Sequence, residues 1–327
     1  MKPTQIKSSV SVAIKARRPV FLWGPPGVGK SQVVAQVAAG SGLSLVDVRA
    51  VLLDPVDLRG LPHINGEGRA HWAIPDFLPK DGQGIIFLDE LNAAPPLVQA
   101  SCYQLILDRK LGEYSLPDSW SIIAAGNRET DRAVTSRMSS ALANRFIHLN
   151  FEVDLNDWVS WALAAGVQVE VIAFIRFRPG LLHVFDPLKN EKTFPSPRTW
   201  EYVSDILKVN PESSVEFELI AGTVGEAAAA EFMGFLKICR ELPDPDAVLL
   251  DPAGSLVPGD PAALYAICGA LSRKSSMSNF GRVVQYGGRL PVEFSVLLVR
   301  DSVKLHPEVQ KSRAFIEWSS VNSQILI

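Results

Sequence analysis

Cysteine is scarce in this chain: Cys102, Cys239 and Cys268 are the only three in 327 residues, far apart and set among apolar neighbours. An odd, scattered set excludes a disulfide framework and a cysteine-based metal site, and buried thiols of a reducing compartment are expected. No apolar run reaches the ~20 residues that a membrane-spanning helix needs. The first residues, Met1-Lys2-Pro3-Thr4-Gln5, carry no apolar signal core, so the cytoplasm is the expected location. Charge of one sign is also missing. A formal net charge of −3 supplies no global basic field, so nucleic-acid binding would need a local patch. Internal repeats and low-complexity segments are absent as well. What remains is 47% hydrophobic and 20% charged residues, the composition of a globular protein of about two domains with a substantial core.

Against that background Gly24-Pro25-Pro26-Gly27-Val28-Gly29-Lys30-Ser31 stands out. It fits G-x-x-x-x-G-K-[ST], a loop whose backbone N–H groups wrap nucleotide phosphates. Lys30 is placed to reach the β- and γ-phosphates of ATP, and the Ser31 hydroxyl to ligate Mg²⁺. The apolar run Val20 to Trp23 before it reads as a buried parallel strand. Val33, Val34, Val37 and Ala38 after it recur at helical spacing up to Gly40. An amphipathic helix over Ile6 to Ala16 precedes the strand.

A second strand is expected over Leu43 to Val48. Residues 54–72 then hold Asn65-Gly66, a strong hairpin signal. His63 and His71 flank that turn without a third ligand nearby and read as solvated loop histidines. Ile85-Ile86-Phe87-Leu88 forms a buried strand ending in Asp89 and Glu90, about sixty residues beyond Lys30. Asp89 is expected to hold Mg²⁺ through water, opposite Ser31, and Glu90 to polarise the attacking water. Pro95-Pro96 opens a helix, and the 111–120 stretch gives a second hairpin-like connection. Ser121 to Ala125 is another buried strand, delivering Asn127 just past its end, where an amide can donate to the γ-phosphate. The fifth strand runs from Phe146 to Phe151.

Five strands alternating with helices imply a parallel sheet, helices on both faces, with its ligands at the carboxyl ends of the strands. The second half turns helical. Expected helices cover Asp157–Ala165, Val169–Phe177, one from Ser196 with Ser as N-cap, one or two between Phe217 and Leu236, and stretches near 262–271, 292–305 and 308–320. Arg273, Lys274, Arg282 and Arg289 read as a solvated helix face. The last helix, with Phe315, Ile316 and Trp318, either packs on the lid or docks a partner.

The set Gly24–Ser31, Asp89-Glu90-Leu91-Asn92-Ala93-Ala94-Pro95-Pro96, Asn127 and Ala141–Phe146 resembles an AAA+ ATPase of the MoxR type. The 54–72 segment resembles the helix-2 insertion of that branch. The resemblance implies an α/β fold: a five-stranded parallel P-loop sheet over residues 1–152, an all-helical lid over 153–240 and a helical C-terminal extension over 241–327. It also implies roles. Lys30 and Ser31 become Walker A, Asp89 and Glu90 Walker B, and Asn127 sensor 1. Arg145 becomes an arginine finger reaching a neighbouring subunit's nucleotide, with Arg128, Arg132 and Arg137 nearby as alternatives, and Arg198 becomes sensor 2. A finger of this kind is worth ~10³–10⁵ in rate. The implied protein is a homo-oligomeric ring, a hexamer, that uses ATP and Mg²⁺ to remodel a protein client, with a von Willebrand factor A (VWA) domain protein as partner. A nucleic-acid motor and a nucleotide-switched scaffold are the alternatives. Few basic residues in the hairpins argue against the motor, and Glu90 against the scaffold.

Overall fold

The computed structural model of the protein describes residues 1–64, 66–131, 138, 140–189 and 191–322, divided into two compact units. The first holds residues 1–154 and 185–190. In chain order it runs α1 (Pro3–Lys15), β1 (Val20–Trp23), α2 (Lys30–Gly40), β2 (Ser44–Arg49), α3 (Pro55–Arg59), β3 (Leu61–Ile64), β4 (Ala70–Ala73) and β5 (Gly84–Asp89). It continues with α4 (Pro96–Asp108), β6 (Lys110–Leu111), β7 (Tyr114–Ser115), β8 (Trp120–Gly126), α5 (Ser140–Ala143) and β9 (Ile147–Asn150). The expected five-stranded parallel sheet is present, in the order β2-β5-β8-β1-β9.

Its inner strands β5, β8 and β1 read as largely apolar runs because both faces are covered, whereas the edge strands β2 and β9 are partly exposed. Alternation then assigns each residue to a layer. Ile85 and Phe87 of β5, Ile123 and Ala125 of β8, and Val20 and Leu22 of β1 pack with α1 and α2. Ile86, Leu88, Ile122, Ala124 and Phe21 pack on the other side with Val98, Cys102 and Leu105 of α4. Cys102 and Cys268 are buried, whereas Cys239 is half-buried; all three are free thiols.

Both hairpins form. In β3–β4, Ile64 stands opposite Ala70, and His63 opposite His71 with their rings 6.1 Å apart. Asn65, the expected turn residue, lies outside the described residues, as do Arg132 and Arg137. His71 Nδ1 lies 3.4 Å from Glu113 Oε2, and among the described residues no group of three His, Cys, Asp or Glu side chains could hold a metal ion. The shorter β6–β7 hairpin turns at Gly112, whose φ of 57° suits glycine.

The second unit, residues 155–184 and 191 onward, is helical. It contains α6 (Leu155–Ala164), α7 (Val169–Phe177), α8 (Pro197–Lys208), α9 (Ser213–Val224), α10 (Glu226–Arg240), α11 (Pro245–Leu250), α12 (Pro261–Lys274), α13 (Phe280–Gly287), α14 (Val292–Leu305) and α15 (Arg313–Val321). Ser196 caps α8 as its sequence indicates, accepting from the Thr199 N–H at 3.2 Å. The stretch expected as one or two helices is two, broken at Gly225 with φ 89°. Helices α11 and α13 went unread because each is barely two turns long, too short to show a period.

The four basic residues near the end have partners within the chain. Arg273 donates to the Val167 carbonyl, Lys274 pairs with Asp246, Arg282 donates to the Leu249 carbonyl, and Arg289 to those of Pro252 and Ser255. Their charges close turns and helix ends. Trp318 is buried in a core with Phe280, Val283 and Leu298, while Ile316 of the same helix stays exposed. A buried pair ties α7 to α14: Arg176 grips Asp301 through both guanidinium ends, with side-chain exposures of 7% and 1%. No described helix is long and apolar enough to cross a membrane.

Candidate nucleotide site

Strand β1 ends at Trp23, paired with Gly126 of β8, and the Gly24 N–H donates to the Gly126 carbonyl at 3.3 Å. The phosphate loop therefore starts beside the point where β8 delivers Asn127. Gly29 precedes α2 with φ 95°, a left-handed backbone that residues with a Cβ adopt at a cost, and it turns the loop into the helix. Lys30 then opens α2, where unpaired N–H groups and the helix dipole favour an anion.

Four of the expected residues meet here. Lys30 Nζ donates to Gly24 O at 2.7 Å, Pro25 O at 3.0 Å and Asn127 Oδ1 at 3.1 Å. Ser31 Oγ donates to Asp89 Oδ2 at 2.8 Å. These bonds join β1, β5 and β8, three adjacent strands, at their carboxyl ends. Glu90 follows with φ 56°, a left-handed conformation for a residue with a Cβ, and its N–H donates to Asp89 Oδ1 at 2.9 Å. The turn leaves the Glu90 side chain exposed. Asp47 on β2 is exposed too, yet partial desolvation and then the Asp89 charge push its carboxyl above the usual range, with Arg49 opposing. Ser31 and Asp89 present hard oxygen donors 2.8 Å apart, a donor set that fits Mg²⁺.

Two residues that the sequence reading gave no chemistry complete the arrangement. Asn92 is buried, and its Nδ2 donates to the Asn127 carbonyl at 2.7 Å. Its amide lies so close to β8 that a Cβ at Gly126 would sit 2.0 Å from Asn92 Oδ1. Asn92 thus clamps the backbone of Asn127 and demands glycine one residue before it. A buried asparagine three residues after the strand-terminal Asp89 was the available signal, but its partner is remote in sequence.

Arg145 lies elsewhere. It precedes β9, whose first residue Ile147 pairs with Val20 at the start of β1, whereas the phosphate loop follows the end of β1. Four strand residues separate the two edges by about 13 Å, so Arg145 and its own chain's loop lie at opposite ends of the sheet. Its Nη1 donates to Ala141 O at 2.9 Å and its guanidinium sits 5.4 Å from the centre of the Tyr103 ring. Arg128 is held inside the unit by a bond to the Phe151 carbonyl at 2.9 Å. Arg198 stands exposed on the first turn of α8 in the second unit.

A family profile described as AAA domain (dynein-related subfamily) matches residues 19–146. Midasin from Giardia intestinalis is 30% identical over 189 residues, 53% of this chain and 4% of midasin. The protein MoxR from Methylorubrum extorquens is 28% identical over 144 residues, 42% of this chain and 41% of MoxR. The matches thus cover less than half of either relative. Among solved structures, NtrX from Brucella abortus in complex with ADP aligns with a TM-score of 0.44 at 14% identity, covering 98% of this chain and 67% of that one. With its phosphate loop, acidic strand end and strand order in place, residues 19–146 match the AAA domain, and the chain is similar over part of its length to midasin and MoxR.

Proposed function

We propose that this protein hydrolyses Mg-ATP and couples hydrolysis to remodelling of a protein client, as a homo-oligomeric ring. The observation that supports hydrolysis is the meeting of Lys30, Ser31, Asp89 and Asn127 at one edge of the sheet, with Glu90 next in the chain. Backbone N–H groups of 24–31 hold the phosphate chain, and Lys30 lies between the loop carbonyls and Asn127, where it can neutralise the β- and γ-oxygens. Ser31 and Asp89 would hold Mg²⁺, and the ion would supply charge neutralisation to the phosphate chain. Asn127 donates its amide to the γ-phosphate side. Glu90 takes a proton from water as the water oxygen bonds to the γ-phosphorus, the bond to the bridging oxygen breaks, and ADP and phosphate leave.

The opposed placement of Arg145 supports a finger acting on a second copy's nucleotide, which makes turnover depend on assembly. The ring, six copies in this reading, would then move the two hairpins through a lid formed by 153–240, with Arg198 sensing the γ-phosphate and 241–327 as an extension. A VWA-domain partner and a cytoplasmic setting belong to the same reading. The net charge of −3 and the intrachain partners of Arg273, Lys274, Arg282 and Arg289 favour a protein client over nucleic acid.

Mixing tests the shared site. Arg145→Ala and Lys30→Ala proteins, each inactive alone, are expected to regain part of the ATPase rate together, because some mixed interfaces pair an intact loop with an intact finger. No regain at any ratio, with both proteins folded and co-assembled, would remove the trans finger.

A further inference from the structure

At the amino ends of the strands, opposite the phosphate loop, the first unit has a cavity of about 230 Å³ with Arg17, Arg18, Arg109 and Arg145 in its wall, floored by Ile106 and Ile122. Four arginines line one small cavity, and positive charge gathered on one wall favours an anion there. Among the described residues, the carboxylate that meets them is Asp118, 3.8 Å from Arg17, with both side chains well exposed (69% and 83%), so solvent screens that pair heavily.

The backbone holds the arginines there by design of the helix ends. Helix α1 closes with Arg17 in the left-handed region at φ 54°; its N–H donates to Ile14 O and that of Arg18 to Ala13 O, both at 3.0 Å. That double bond pattern is the helix stop in which glycine is preferred, because a Cβ costs about 1–2 kcal/mol there. Helix α4 also ends on a left-handed arginine, Arg109 at φ 56°. Of four non-glycine residues with positive φ among the described residues, two are therefore arginines of this one cavity, and a third is Glu90. Strain of this kind gathers at working sites. Arg109 Nη2 is engaged by the Pro117 and Trp120 carbonyls, both at 2.7 Å, so Arg109 contributes fixed charge. Arg18 is exposed and, among the described residues, without a hydrogen-bond or ion-pair partner on its side chain. Among the described residues, Arg145 hydrogen-bonds through Nη1, to Ala141 O, and its guanidinium also sits over the Tyr103 ring. Arg17, Arg18 and Arg145 thus keep donors for a ligand.

We propose that this cavity is an anion site for a phosphate chain, with Arg17 and Arg18 as binding residues alongside Arg145. Guanidinium forks suit phosphate oxygens, several of which one di- or triphosphate presents together. Two sources fit: the nucleotide held by a second copy, or a free nucleotide or polyphosphate. The first rests on the ring reading above; the second does not.

Calorimetry with inorganic tripolyphosphate on the full-length Lys30→Ala protein, whose own loop is disabled, tests the site. Binding is expected, and it is expected to weaken at least tenfold when Arg17→Asn and Arg18→Gln are added. Asparagine at 17 tolerates the left-handed backbone. Arg18→Gln alone, at an exposed side chain, repeats the comparison with the helix end untouched. No binding by the Lys30→Ala protein, or equal binding by the arginine variants, overturns the proposal. In the chain with Lys30 intact, the same arginine changes then assign the source. Lost turnover with unchanged ATP affinity identifies a second copy's nucleotide, and unchanged turnover identifies a free anion. Because the calorimetry needs no ring and no hydrolysis, a failed cavity and a failed ring are told apart.

Discussion

Gly126→Ala is the most exacting test of the clamp that Asn92 places on Asn127. The added methyl would meet Asn92 Oδ1 at 2.0 Å, Asn92 Cγ at 2.7 Å and Phe21 Cζ at 3.0 Å. Gly126 does not have a positive φ, so alanine suits its backbone and the clash alone is tested. Forcing a methyl into a packed core costs about 1–3 kcal/mol. Pushing Asn92 aside also breaks its bond to the Asn127 carbonyl, leaving buried polar groups unmatched, about 1–3 kcal/mol more. A loss of roughly 2–6 kcal/mol lowers Tm by about 4–24 °C in a unit of this size. Turnover falls further than nucleotide affinity, because Asn127 shifts against Lys30 while the loop N–H groups stay. The discriminating variant is Gly126→Ala with Asn92→Ala, which removes both of the closest atoms. The pair is expected to be less destabilised than the sum of the single changes by about 1–3 kcal/mol in denaturant melts. Strict additivity, or a Gly126→Ala protein as stable as its parent, would refute the clamp.

Glu90→Gln keeps the shape of the side chain and removes the base; ATP binding by calorimetry is expected unchanged and the phosphate-release rate lowered about 10²–10⁴-fold. Unaltered turnover would clear Glu90 of the role. Arg176→Met leaves Asp301, 1% exposed, with an uncompensated charge, and a denaturant melt is expected to show a loss of about 3–5 kcal/mol that Arg176→Met with Asp301→Leu largely recovers. The thiols of Cys102, Cys239 and Cys268 are all pushed up to about 12, burial being the first cause, so at pH 8 the native protein is expected to react with almost no dithionitrobenzoate until denatured. The folded thiols keep their protons while unfolded ones lose theirs near 9.0; the stability from burying them is full below that pH and is lost as pH rises to about 12. Melts that strengthen across that range would contradict the sign.

The residues that meet at the candidate site were legible in sequence because their signals are local. Gly24–Ser31 is contiguous, Asp89 and Glu90 close an apolar run, and Asn127 follows another. The sheet was legible for the same reason: strands buried on both faces appear as unbroken apolar runs. Strand ends moved by only a residue or two, as Ile147–Asn150 against the expected Phe146–Phe151 shows. Contacts between distant stretches were not legible. The clamp of Asn92 on Asn127 and the need for glycine at 126 depend on how closely the turn after β5 approaches β8. Arg273, Lys274, Arg282 and Arg289 look alike as letters, and only the turns beside them turn their charges into bonds to carbonyls and a carboxylate. Arg17 and Arg18 were unremarkable ends of a helix until α4, β8 and Arg145 closed round the same cavity. Residue type and spacing along the chain thus determined which groups could bind phosphate and activate water. Tertiary packing decided which of them meet and which face the other edge of the sheet, since hydrogen bonds and fields act over a few ångströms in space whatever their separation in sequence.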